Sequence, residues 1–176
     1  MAPMISTVAE ATYFVEMARS FSIARAGVMV EVPAAVFCAE ELLAVCDFVS
    51  IGTNDLAQYL FASDRESPQL VQVQDPWNVA LLRAIKMVVN AGLQGGKSVS
   101  VCGEAASDPF FAAILIGLGV TSPSVGSASI GKLRDMISRC NRSELEALAN
   151  DATSITDPIA LKTFVKGKLA VLLPEA

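Results

Sequence analysis

Short apolar runs alternate along the chain with longer stretches of helical spacing. Val28–Val32, Phe48–Ile51 and Ser98–Val101 read as strands. Ala2–Ile5 is a weaker candidate, and Thr121–Val125 a poorer one because Pro123 interrupts it. Between them, Thr7-Val8-Ala9-Glu10 has the form of a capping box and predicts a helix to about Ala24. Helix formers follow Pro33 as far as Val45. Asp75-Pro76 and Asp108-Pro109 each set a capping Asp before a Pro at the first helical position, which predicts helices to about Asn90 and about Leu118. Beyond Val125 the alternation stops. Ile130–Cys140 reads as a helix, Ser143-Glu144-Leu145-Glu146 as a second capping box, and Asp157-Pro158 as the start of a last helix toward Leu173.

Near-continuous apolar strands joined by helices predict an α/β fold, a parallel sheet covered by helices. A doubly wound sheet and a (β/α)8 TIM barrel both fit. A full barrel takes about 250 residues, about 30 per unit. This chain has 176 residues and offers five strands, so it is an incomplete barrel or a small open sheet. No linker, repeat or low-complexity segment divides it. The expectation is a single domain, residues 1–176, with strand–helix units over 1–142 and terminal helices over 143–176.

Composition narrows the classes. Apolar residues make up 53% and charged residues 18%, which excludes a disordered chain. The net charge is −5 and no basic cluster is present, which argues against nucleic acid as a partner. There are four cysteines without a C-x-x-C pair, and no histidine, which argues against a zinc site. Free cysteines fit a reducing, cytoplasmic setting. The N-terminus lacks the pattern of a signal peptide, and the longest apolar run, Phe110–Val120, is short of the roughly 20 residues that span a bilayer. No membrane insertion is expected.

In either fold, functional groups gather at the carboxyl ends of the strands. There the chain sets Glu31, then Asn54-Asp55, then Cys102-Gly103-Glu104, then Ser124 and Ser127. Each has an ordinary structural reading: a salt bridge at the barrel rim for Glu31, a turn for Asn54-Asp55, a surface charge for Arg65, a packing residue for Cys102. Together they form a coherent set. Two carboxylates on neighbouring strands can hold Mg²⁺, with waters and substrate completing the shell. An arginine can clamp a phosphate in a fork, and a thiol can pass a proton to a reactive carbon.

The linear pattern is more specific. D-F-V-S-I-G-T-N-D-L-A-Q-Y-L-F-A-S-D-R, Asp47 to Arg65, resembles the signature of the phosphoenolpyruvate-utilising enzymes. G-V-M-V-E-V-P-A-A, Gly27 to Ala35, resembles the segment before it in that family, and V-C-G-E-A-A, Val101 to Ala106, the segment after it. M-A-P-M at the start resembles the family's M-x-P-M strand. Within the family the likeness is strongest to the phosphoenolpyruvate–protein phosphotransferases that serve sugar uptake. The resemblance implies a TIM-barrel phosphoenolpyruvate-binding domain. It implies that Glu31 and Asp55 coordinate Mg²⁺, that Asn54 and the Asp55 backbone hold phosphoenolpyruvate, that Arg65 binds its phosphate, and that Cys102 protonates the enolate to give pyruvate. It also implies two protein partners in the full-length system, a phosphate-accepting histidine domain and a phosphocarrier protein.

Two features qualify that expectation. The chain has no histidine to accept phosphate, and it has no counterpart of the family's earlier barrel strands. It therefore reads as the C-terminal portion of the barrel, inactive by itself and self-associating through open sheet edges. A non-catalytic module for Mg²⁺, pyruvate or dimerisation is an alternative. A lyase-type pyruvate-binding barrel is a second, against which the Asn54-Asp55…Arg65 signature argues.

Overall fold

The computed structural model describes residues 1–63 and 75–172. Among the described residues, four strands form one parallel sheet in strictly sequential order: β1 (Gly27–Val30), β2 (Phe48–Gly52), β3 (Ser98–Cys102) and β4 (Ser122–Ser124). Ahead of β1 lies α1 (Val8–Ser20). The crossovers carry α2 (Pro33–Phe37) and α3 (Ala39–Val45), then α4 (Thr53–Leu60) and α5 (Val79–Gly95), then a 3₁₀ turn (Glu104–Ser107) and α6 (Pro109–Leu118). Three helices complete the described chain: α7 (Ser127–Arg139), α8 (Arg142–Ala152) and α9 (Pro158–Leu172). A doubly wound sheet reverses its strand order at a switch point. This sheet does not, and right-handed crossovers in sequential order keep the helices on one face, as in a barrel. Of the two folds the pattern allowed, the strand order selects the partial barrel.

The register sorts side chains into two faces. Val28–Val49–Val99 and Val30–Ile51–Val101 form rows that are buried with the helices. Leu42 and Leu43 of α3, Ile85 and Val88 of α5, and Phe111 and Ile114 of α6 belong to the same core. Each such side chain contributes about 1.5–3 kcal/mol by leaving water. The opposite face carries a row of Met29, Ser50, Ser100 and Ser122, and above it Gly52, Cys102 and Ser124.

Several elements depart from the expected bounds. The first strand is reduced to a parallel bridge between Ala2 and Val28. Ala2 both donates to Gly27 and accepts from Met29, but Pro3 has no N–H and Met4 has a φ of 55°, so the pairing stops. The capping box at Thr7 and Glu10 forms, yet α1 ends at Ser20 rather than Ala24, and Ser22 turns the chain with a φ of 60°. Arg19 then holds the outgoing loop by donating to the carbonyls of Ile23 and Ala24 at 2.7 and 2.5 Å. The helix after Pro33 breaks at Cys38 into α2 and α3.

Asp75 does not cap α5. Its carboxylate accepts the Trp77 N–H at 3.0 Å, and Asn78 caps the helix instead. Trp77 is thereby buried edge-on against Phe111, with ring centroids 5.5 Å apart. The second capping box is formed by Asn141 and Glu144, not by Ser143 and Glu146. Asp108-Pro109 caps α6 as expected, Asp108 accepting the Phe110 N–H at 2.9 Å. Pro123 sits in register with Val101 on the end strand of the sheet, where its missing N–H is tolerated.

Candidate active site

The sheet ends on one level. Gly52 pairs with Cys102 and Cys102 with Ser124, so the residues that close β2, β3 and β4 stand side by side. Glu31 follows Val30, the last residue of β1, and is therefore next in the same row. It is only 3% exposed. A buried carboxylate needs partners. One oxygen, Oε1, accepts the Met4 N–H at 2.8 Å, which explains the turned backbone of the M-A-P-M segment. The other, Oε2, lies over Gly52, so close that a Cβ there would collide with it. Gly52 has an ordinary φ of −89°, so the glycine is required by proximity rather than by conformation.

Gly52 is also the N-cap of α4, and Thr53, Asn54 and Asp55 form its first turn. The expected Asn-Asp turn is therefore a helix start. Its N–H groups favour negative charge at the rim, with Asp55 among them. Two side chains of this turn grip the loop after β3. The Thr53 hydroxyl donates to the Cys102 carbonyl at 2.9 Å, and Asn54 Oδ1 accepts the Glu104 N–H at 3.2 Å. That bond orients the amide, so what Asn54 can offer a ligand is its NH₂ group. Gly103 makes the approach possible. Its φ is 112°, and a Cβ there would strike Thr53 Oγ1 and come within 2.9 Å of Asn54 Oδ1.

Cys102 is partly exposed on the same row, and its sulfur receives the Ser50 hydroxyl at 3.7 Å. Glu31, Asn54, Asp55 and Cys102 thus belong to one rim, at the ends of three adjacent strands. Ser124 is on its level, whereas Ser127 has moved into the start of α7. Arg65, the expected phosphate ligand, lies outside the described residues, as does Asp64. Ser50, Gly52 and Thr53 are additions to the residues expected from the sequence, and Gly103, expected only as part of the Cys102-Gly103-Glu104 strand end, is what lets the two loops approach. A polar Ser50 two residues before Gly52 in an apolar strand was the available signal.

The acids at the rim suit a hard cation rather than a closed structural site. Among the described residues no group of three or more His, Cys, Asp or Glu side chains could enclose a metal. Glu31 and Asp55 are carboxylate donors, the chemistry that suits Mg²⁺. The space over Gly52 that a Cβ would fill is where Glu31 presents its second oxygen.

A sector of a parallel barrel with its polar groups collected at the carboxyl rim is a substrate-binding architecture. The chain belongs to the family of PEP-utilising enzymes through their PEP-binding domain, which matches residues 1–142. It is similar to the phosphoenolpyruvate-protein phosphotransferase of Streptomyces coelicolor, 43% identical over 158 residues that cover 86% of this chain and 28% of the relative. The protein of the same name from Listeria monocytogenes is 41% identical over 126 residues, covering 72% of this chain and 22% of the relative. That of Bacillus subtilis is 38% identical over 140 residues, covering 80% and 25%. The chain spans roughly a quarter of the length of these curated relatives. Among the described residues, no helix is long and apolar enough to cross a membrane.

Proposed function

We propose that this chain binds phosphoenolpyruvate and protonates its enolate within a phosphoenolpyruvate–protein phosphotransferase of the sugar-uptake type. The observation that carries this is the rim itself: Glu31, Asn54-Asp55 and Cys102 at the ends of three neighbouring strands, in a chain of the PEP-binding family. Glu31 and Asp55 hold Mg²⁺ in this reading. The bound cation supplies charge neutralisation at the enol oxygen and the phosphoryl group. Asn54 donates its NH₂ to the substrate, aided by the N–H groups of the first turn of α4. Arg65 clamps the phosphate.

The phosphoryl group leaves for a histidine on a separate domain, since this chain has none. The enolate then takes the Cys102 proton at carbon. The S–H bond breaks, a C–H bond forms and pyruvate departs. Self-association belongs to the same reading. Tyr13 and Met17 of α1 and Phe21 at its C-cap are spaced four residues apart and are 70%, 42% and 75% exposed, a stripe that suits a protein partner of the same kind.

Pyruvate release from phosphoenolpyruvate, measured with a phosphate-accepting histidine domain added in trans, tests the transfer. Release that needs both the added domain and Cys102 is expected. Metal-dependent binding of phosphoenolpyruvate without any release would reduce the chain to a binding module.

A further inference from the structure

One buried group beside the rim has no part in the chemistry so far. Ser50 lies in the middle of β2, on the face opposite the valine rows, and is only 2% exposed. Barrel interiors are usually filled by bulky branched residues. Here the row beneath the rim is Met29, Ser50, Ser100 and Ser122. The hydroxyls serve different ends. Ser100 donates to the Val49 carbonyl at 3.3 Å, whereas the Ser50 hydroxyl points up the strand to Cys102 Sγ at 3.7 Å. Ser50 is thus a buried hydroxyl whose hydrogen bond goes to the sulfur.

We infer that Ser50 is a positioning residue for the Cys102 thiol. Its hydroxyl donates to the sulfur from below, which leaves the S–H free to point up toward the rim. The same bond stabilises the thiolate that remains once the proton has gone to carbon. In that step the S–H electron pair stays on sulfur, and the enolate π pair forms the new C–H bond. The inference rests on the proposed role of Cys102, but the Ser50–Cys102 relationship can be read without turnover.

The test is alkylation of Cys102 by iodoacetamide as a function of pH, followed by peptide mass spectrometry so that the other three cysteines do not interfere. The thiolate is the reacting form. A hydrogen bond to a charged group is worth enough to shift its population about tenfold. Ser50→Ala is expected to slow alkylation several-fold at neutral pH and not to slow it in strong alkali, where the thiol is ionised in both proteins and the unbonded thiolate is the stronger nucleophile. Ser50→Thr, which keeps the hydroxyl, should follow the wild type. Among the described residues, the titratable groups on the surrounding elements are Glu31 after β1, Asp55 on α4, Glu104 on the 3₁₀ turn and Asp108 at the start of α6, while β4 brings hydroxyls. All are common to the compared proteins, so the difference reports Ser50.

Superimposable profiles, or a shift to lower pH in Ser50→Ala, would overturn the inference. The second would mean that the thiol donates to Ser50. Should Ser50→Ala not fold, the infrared S–H band of the wild type, assigned by difference from Cys102→Ser, decides the same point. A narrow band of a non-donating S–H supports the inference, and a broadened, down-shifted band refutes it. Protection of Cys102 by phosphoenolpyruvate with Mg²⁺ is scored separately. Its loss would count against the proposed function while leaving the Ser50 result standing.

Discussion

Glu31 Oε2 lies over the α-carbon of Gly52, in the space where any other residue would carry its side chain. This contact joins the ends of β1 and β2 and sets the buried carboxylate at the rim. Gly52→Ala is therefore an overpacking change at an unstrained backbone position. It is expected to cost about 1–3 kcal/mol in denaturant unfolding. The displaced carboxylate should also weaken Mg²⁺-dependent binding of phosphoenolpyruvate. A variant as stable as the wild type, with unchanged binding, would show that Glu31 is not held in this way.

Thr53 offers a gentler probe of the same corner. It is 2% exposed and its hydroxyl satisfies the Cys102 carbonyl across the β2–β3 gap. Thr53→Val keeps the shape and removes the donor. The loss is expected to be about 1 kcal/mol, or about 2–4 °C in melting temperature for a chain of this size. Thermal melting followed by circular dichroism measures it.

Much of this fold was legible because its strands are short, β-branched and buried, and its caps are local. Thr7 with Glu10, and Asp108 before Pro109, are read within four residues and form as expected. Local signals misled where two readings share a spacing. Asp75 accepts from Trp77 in a turn, and Ser143 donates to Asn141 Oδ1 at 2.8 Å instead of opening its own box. The acids and the thiol at the rim stood out because polar residues close apolar runs. The glycines that let them meet did not. Gly52 and Gly103 are required by side chains 21 and 50 residues away in sequence, Glu31 and Thr53, and only the register brings those together. The choice between barrel and doubly wound sheet likewise depended on strand order, which no local pattern contains.

Acid should loosen the opposite end of the sheet. Asp47 precedes β2 and accepts both the Ala26 N–H and the Arg19 guanidinium at 2.6 Å. The backbone bond first, and the arginine second, hold its carboxyl below the ordinary range. A carboxyl lowered in the folded state adds stability above its unfolded value of about 4 and loses it as pH falls through the folded value. Melting temperatures of the wild type and Asp47→Asn should thus differ at pH 6, begin to draw together near pH 4 and converge only once pH has fallen through the folded value. A difference that persists unchanged into acid would exclude this linkage.

The exposed stripe on α1 makes self-association measurable. Sedimentation velocity is expected to show a species larger than the monomer, and Tyr13→Glu with Phe21→Glu to shift it toward monomer. Both side chains are mostly exposed, so the melting temperature should change little. A wild type that is monomeric at all concentrations and binds no apolar dye would contradict the expectation.

In the proposed function, the rim built by Glu31, Asn54-Asp55 and Cys102 is a metal-dependent phosphoenolpyruvate site. Calorimetric titration of the chain with phosphoenolpyruvate, with and without Mg²⁺ and in wild type against Asp55→Ala, tests it most directly. Binding that requires Mg²⁺ and is lost in Asp55→Ala is expected. Binding that is absent in the wild type with Mg²⁺ present, or that survives equally in Asp55→Ala, would contradict it.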